Sequence, residues 1–221
     1  MPPAYLLCDL DETLYPSSCG LMQAVSARMS AFVAEYLRVD REEAARIRTR
    51  LRVTYGTTLT GLMREYGLQV AEQYRAYTHD VPVADFLADD PRLSEALASI
   101  PQPKSVLTNS PLEHAERVLK RLGIRGRFER VFDLRFNGFI GKPDPAVYNR
   151  ALGVLDRRAA EVLLVDNHLD YLAPFRAMGG HVLLIDEGGD GAALDGVPTL
   201  GDIKELPAYL AARSEASRGA G

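Results

Sequence analysis

The chain is 221 residues long, which at roughly 100–200 residues per domain allows one large domain or one core with a modest insertion. Hydrophobic residues make up 47% and charged residues 25%, an ordinary globular composition that excludes general disorder. Against 30 acidic residues stand 26 basic ones, a net charge of −4, so no global basic field exists to grip a nucleic-acid polymer.

No apolar run approaches the roughly 18–20 residues that span a bilayer, so no membrane partner is expected. The first residues lack a basic n-region and bring in acids early, which argues against a secretory leader. Two cysteines do not build a disulfide framework. The expectation is a soluble, reduced, cytoplasmic protein, a monomer or weak homodimer.

Short apolar runs, each closed by a polar or acidic residue, recur along the chain. They are Ala4–Cys8 before Asp9, Ser105–Leu107 before Thr108, Val131–Phe132 before Asp133, Val162–Val165 before Asp166 and Val182–Ile185 before Asp186. Rich in Val, Leu and Ile without clean alternation, they read as strands buried on both faces of a parallel sheet.

Between the first two runs lies a block with no convincing strand. Helical segments are expected at Leu21–Leu37, Arg41–Tyr55, Leu59–Tyr66 and Val70–Tyr77. This block, residues 17–89, reads as a helical insertion into a core made of 1–16 and 90–221. Further on, Asp90-Pro91 and Asp144-Pro145 place an N-cap before a proline suited to the first helical turn. Ser110-Pro111-Leu112-Glu113 reads as a capping box opening a helix whose stripe is Ala115, Val118, Leu119 and Leu122, stopped by Gly123. After a tail rich in Gly, Ala and Asp that reads as partly mobile, a last helix is expected near Asp202–Ala212. Strands alternating with capped helices predict a doubly wound, Rossmann-like parallel α/β sheet.

In such sheets ligands bind beyond the carboxyl ends of the strands. Asp9, Asp11, Thr108, Asn109, Lys142, Asp166 and Asn167 all fall at or just past a strand's end. Clustered carboxylates need a cation, and hard oxygens without a sulfur or imidazole pattern favour Mg²⁺. A hydroxyl, an amide and a lysine offer donors to a phosphoryl group, while one carboxylate can attack and a second move protons.

Asp9-Leu10-Asp11-Glu12-Thr13, Thr108-Asn109-Ser110, Gly141-Lys142-Pro143-Asp144-Pro145 and Val165-Asp166-Asn167 resemble, in order, the four motifs of the haloacid dehalogenase superfamily. The resemblance spans about Tyr5 to Asp186. It implies that Asp9 is the nucleophile and Asp11 the acid/base, with Thr108, Asn109 and Lys142 on the phosphoryl group. It also implies Mg²⁺ held by Asp9, the Asp11 main-chain carbonyl, Asp166 and Asn167. Members that attack carbon–halogen bonds lack the second acid, so Asp11 implies phosphate chemistry. The helical block occupies the place of the superfamily's C1 cap. In the fourth motif two registers are possible: Asp166 binds metal with support from Asp170, or Asn167 binds it while Asp166 orients the site. Gly179 falls where the resemblance places the glycine ending the next helix, which favours the second.

Looser stretches resemble the pyrimidine 5′-nucleotidase branch: Leu14-Tyr15-Pro16, Tyr55 through Leu62, and His114 through Leu119 with Leu122-Gly123-Ile124. The expected partner is therefore a small phosphate ester, foremost a pyrimidine nucleoside 5′-monophosphate. The alternatives are another capped phosphatase (sugar phosphate or phosphoglycolate type), a phosphomutase, or a phosphoacceptor protein without turnover. Ser110 is expected to act first as a helix cap. Cys8 is read as a buried small hydrophobe, His79, His114 and His181 as structural, and Tyr55, Tyr66, Tyr74 and Tyr77 as core of the helical block.

Overall fold

The computed structural model describes residues 3–69, 71–189 and 196–219. Six strands form one parallel sheet: β1 Tyr5–Cys8, β2 Lys104–Leu107, β3 Val131–Phe132, β4 Val162–Asp166, β5 His181–Ile185 and β6 Thr199–Leu200. Their order is β3-β2-β1-β4-β5-β6, so the chain steps outward from β1, then returns to its other side. That reversal opens a crevice at the carboxyl ends of β1, β2 and β4.

Both faces of the sheet are covered, as the unbroken apolar runs require. Leu6 and Cys8 join one core layer with Leu97, Val118, Leu119 and Leu206. Tyr5 and Leu7 join the opposite layer with Tyr148, Leu152, Leu172 and Phe175. Cys8 is fully buried, and burial pushes its thiol up to about 12, which fits a small hydrophobe rather than a reactive group.

After β1, the block 17–89 holds four α-helices and, among the described residues, no strand: α1 Leu21–Leu37, α2 Arg41–Tyr55, α3 Thr58–Glu65 and α4 Ala71–Thr78. The start expected at Val70 lies outside the described residues. Asp40 caps α2 and Thr57 caps α3, each side chain accepting from a backbone N–H three residues on. The block has its own apolar cluster, including Val33, Leu51, Leu59, Leu62 and Tyr74. Tyr77 departs from the expected core stripe. It is exposed, with the Arg28 guanidinium 4.4 Å from its ring centroid.

Helices α5 Pro91–Ser99, α6 Leu112–Arg121, α7 Pro145–Leu155, α8 Leu169–Ala177 and α9 Leu206–Gly219 complete the core. The last begins later than expected because Asp202 caps a short 3-10 turn, Ile203–Glu205, that precedes it. Part of the tail expected to be mobile, 190–195, lies outside the described residues. No helix among the described residues is long and apolar enough to cross a membrane.

Candidate active site

Asp9 directly follows β1, where its amide donates to the Val165 carbonyl of the neighbouring strand. The side chain is almost wholly buried, and the Lys142 ammonium lies 2.9 Å from its Oδ1. That ammonium also donates to Asp166 Oδ2 at 2.6 Å, so one buried cation bridges the ends of β1 and β4. Burial alone would push Lys142 down, but Asp166 and then Asp9 lift it well above its ordinary value, which keeps it charged. Asp166 is raised by its complete burial, with Lys142 opposing the rise.

Both oxygens of Asp166 are engaged: Oδ2 by Lys142 and Oδ1 by the backbone N–H of His168, 2.9 Å away. Asp170 is exposed in the first turn of α8. Asn167, by contrast, faces the nucleophile's side. The Thr13 hydroxyl lies 3.4 Å from both Asp9 Oδ2 and Asn167 Oδ1, so these two oxygens converge on one point. Among the described residues no group of three or more His, Cys, Asp or Glu gathers as a metal cage. One carboxylate, one amide oxygen and a nearby main-chain carbonyl suit Mg²⁺, which keeps waters and takes few protein ligands.

Asp11 sits in a cluster of donors. The Ser110 hydroxyl donates to Oδ2, and the Tyr15 hydroxyl donates to Oδ1 at 2.6 Å, with His114 Nε2 2.9 Å from the same oxygen. Burial would raise this carboxyl, yet the His114 charge and the three hydrogen bonds hold it far below the usual carboxylate range. Glu12, next in sequence, adopts a left-handed backbone (φ 58°) that turns the chain sharply between Asp11 and Thr13.

A depressed carboxyl stabilises the fold above its unfolded value of about 3.9 and loses that contribution as pH falls toward the lower folded value. The stability gap between the wild type and Asp11→Asn should therefore be constant near neutrality and shrink steadily below about pH 4. Urea unfolding across that range checks it; a gap that widens on acidification would contradict the assigned direction.

Ser110 corrects the expectation of a helix cap. Asp133, just past β3, accepts from the Leu112 N–H of α6 at 3.1 Å and so takes over the capping role. That leaves the Ser110 hydroxyl for Asp11. His114, read as structural from spacing, is likewise drawn into the site by α6, which carries it one turn beyond Ser110. Asn109 was expected among the phosphate-binding side chains. Its carboxamide instead clamps the Lys142 main chain, accepting from the Lys142 N–H at 2.7 Å and donating to the Lys142 carbonyl at 3.0 Å. Thr108 is buried, and its hydroxyl accepts from the Ser110 N–H at 3.0 Å.

The loop carrying Lys142 touches the helical block directly. A Cβ on Gly141 would collide with the Thr57 side chain and the Asn109 carboxamide, which explains glycine there. The Thr60 hydroxyl donates to the Phe139 carbonyl at 2.7 Å. The Tyr55–Leu62 run thus docks the helices onto the lysine loop.

Between the block and the sheet edge lies a cavity of about 670 Å³. Asp9, Asp11, Thr108, Lys142 and Asn167 form its floor; Arg48, Arg52, Tyr74 and Arg75 contribute to its helical wall. His79, His168 and Tyr171 line it too. Burial pushes the His79 imidazole down to about 3. Of the residues sequence reasoning missed, His114 alone carried a hint, lying in the first turn of the helix that directly follows the Thr108-Asn109-Ser110 motif.

The pattern of the haloacid dehalogenase-like hydrolases matches residues 4–179. Phosphate metabolism protein 8 of Saccharomyces cerevisiae is 30% identical over 156 residues, 65% of this chain and 49% of that protein. The chain thus matches about half the length of that curated relative. The fold is similar to 2-haloacid dehalogenase from Pseudomonas syringae pv. Tomato DC3000 (TM-score 0.60, 22% identity, 96% of this chain and 99% of that one). It is similar to the magnesium-bound hydrolase YfnB from Bacillus subtilis (TM-score 0.63, 15% identity, 96% and 100%). It also resembles a phosphatase of the same superfamily from Thermococcus onnurineus (TM-score 0.59, 16% identity, 95% and 98%). At these identities the structural matches show the fold, whereas the pattern match covers most of the chain and its motifs. The chain belongs to the haloacid dehalogenase-like hydrolase family, and it is a hydrolase.

Proposed function

We propose that the chain is a Mg²⁺-dependent phosphomonoesterase working through an aspartyl-phosphate on Asp9, with residues 17–89 as a cap over the site. The observation that carries this reading is the buried Asp9–Lys142–Asp166 bridge opening onto the cavity, with Asn167 and Thr13 beside Asp9. The relative named for phosphate metabolism and the phosphatase among the solved structures support it. So does Asp11, the second acid that resemblance ties to phosphate rather than halide chemistry.

In this mechanism an Asp9 oxygen bonds to phosphorus while the bond to the leaving oxygen breaks, its electron pair going to that oxygen. Water then attacks phosphorus, releasing inorganic phosphate and restoring the Asp9 carboxylate. Lys142 holds Asp9 in place and balances charge on the transferring group, and Thr108 offers it a hydroxyl. Asp11 supplies the proton to the leaving oxygen and later takes one from water. For that it must exchange its contacts with Ser110, His114 and Tyr15 for the substrate, a rearrangement suited to cap closure. The Asp9 carboxylate, the Asp11 carbonyl and Asn167 Oδ1 would hold Mg²⁺, which supplies charge neutralisation to the phosphoryl oxygens when bound. A pyrimidine nucleoside 5′-monophosphate is the substrate suggested by the looser sequence stretches, and the cavity is of a size to take one.

The metal assignment predicts that Asn167→Ala raises the Mg²⁺ needed for half-maximal phosphate release by about tenfold or more, in line with loss of a ligand. Asn167→Asp should be tolerated and Asp170→Ala nearly silent. Metal titrations of phosphate release from a panel of phosphomonoesters, nucleotides included, test this. An Asp170→Ala requirement that rises while Asn167→Ala stays at the wild-type value would reverse the register.

A further inference from the structure

Four of the five arginines of α2 divide into two sets. Arg46 and Arg50 pair with carboxylates: Glu42 and Glu43 for the first, Glu65 for the second. Arg48 and Arg52, one helical turn apart, line the cavity instead, and among the described residues neither takes part in an ion pair. Like charges four apart on a helix repel, so this placement is mildly unfavourable in the empty cavity.

Arg48 is partly buried and held by neutral groups alone. Its Nη1 donates to the Ser26 carbonyl at 2.7 Å and to the Ser30 hydroxyl at 2.6 Å. Its Nε is buried without a hydrogen-bond partner. Neighbouring Arg75 is different, since Glu72 and Glu113 pair with it, so Arg48 is the half-buried cation on this wall with a donor left unmatched. A cation partly withdrawn from water is ordinarily matched by an anion, and no ion pair among the described residues supplies one to Arg48; Arg52, exposed, adds its charge at the cavity's rim.

We propose that Arg48 and Arg52 form a second anion site, so that the preferred substrate carries, on its leaving group, an anionic group besides the phosphoryl that is removed. This rests on the phosphomonoesterase reading and refines it: the floor takes one phosphoryl group, and the helical wall reads a carboxylate or a second phosphate. A neutral nucleoside leaving group satisfies the site less well.

The test keeps one scaffold and changes only the distal group. Phosphate release is measured from uridine 5′-monophosphate, from orotidine 5′-monophosphate, which adds a carboxylate on the base, and from uridine 3′,5′-bisphosphate, scored for loss of its 5′-phosphate. 4-Nitrophenyl phosphate reports the basal reaction. The expected kcat/KM for at least one doubly anionic member exceeds that of uridine 5′-monophosphate by about tenfold or more, the scale of a charged hydrogen bond. Which member gains tells carboxylate from phosphate. Arg52→Leu should reduce that ratio severalfold and Arg52→Glu should bring it to one or below; Arg52 is exposed, so these variants keep the fold. Arg48→Lys, retaining charge, should preserve part of the ratio. Ratios near one in the wild type, or ratios unmoved by Arg52→Glu, would overturn the second anion site while leaving the phosphatase reading intact. No release from any ester, 4-nitrophenyl phosphate included, would instead defeat the underlying reading and the proposal with it.

Discussion

Asp9→Asn should abolish phosphate release, by roughly 10³-fold or more, while the protein stays folded. An amide is a far weaker nucleophile than a carboxylate, so the covalent step fails. The shape of the side chain is kept, and Lys142 retains its shorter contact to Asp166. Stability should therefore change by no more than about 1–2 kcal/mol, the scale of one charged hydrogen bond. Phosphate assays alongside thermal unfolding check both halves. Substantial release from a folded, uncontaminated Asp9→Asn protein would remove Asp9 from the nucleophile's role.

Lys142→Met should do the opposite to the balance, damaging fold and activity together. The ammonium is 1% exposed and lies between two buried carboxylates. Removing it leaves Asp166, with no exposed surface, facing Asp9 without a cation. Losing one partner of a buried pair typically costs about 3–5 kcal/mol. For a chain of this size that corresponds to a fall in Tm of roughly 10 °C. Activity measured well below the new midpoint should still be lost, because the charge that positions Asp9 is gone. A variant with unchanged Tm would show that Lys142 does not balance these acids.

How the sequence encodes this arrangement differs from element to element. The β1 run is apolar at every position because Leu6 and Cys8 face one layer and Tyr5 and Leu7 the other. Such a run announces its strand without help from the rest of the chain. Helices α1 and α2 are legible for a similar reason, carrying local periodicity and, for α2, the Asp40 cap. Thr199–Leu200 escapes because two residues on a sheet edge carry no period. Most of the floor was readable because Asp9, Asp11, Thr108 and Asn167 fall at or just past a strand's end, whereas Lys142 lies on a loop and was read from its Gly-Lys-Pro-Asp-Pro context. Ser110 was misread, and the Asn109 clamp went unseen, for one shared reason. Their partners, Asp11 and the Lys142 main chain, come from distant segments, so nothing local signals that a capping hydroxyl or a donor amide is already engaged. His114 and Arg48 follow the same logic. Each looks like an ordinary helical residue until the fold sets it against the cavity or its second acid. The fourth motif shows the converse. Sequence allowed two registers for Asp166, Asn167 and Asp170 and favoured the one with Asn167, and the engagement of both Asp166 oxygens, with Asn167 beside Asp9, favours the same one.

Covalent catalysis by Asp9 puts a phosphoryl group on the enzyme during turnover, and an acid quench traps it. The protein is mixed with Mg²⁺ and a phosphomonoester that it turns over, quenched in acid during turnover, digested and mapped by mass spectrometry. The account predicts inorganic phosphate in solution and a phosphoryl group on the peptide that contains Asp9, absent from Asp9→Asn. Turnover with an unmodified Asp9 peptide throughout, or a phosphoryl group on another residue, would contradict it.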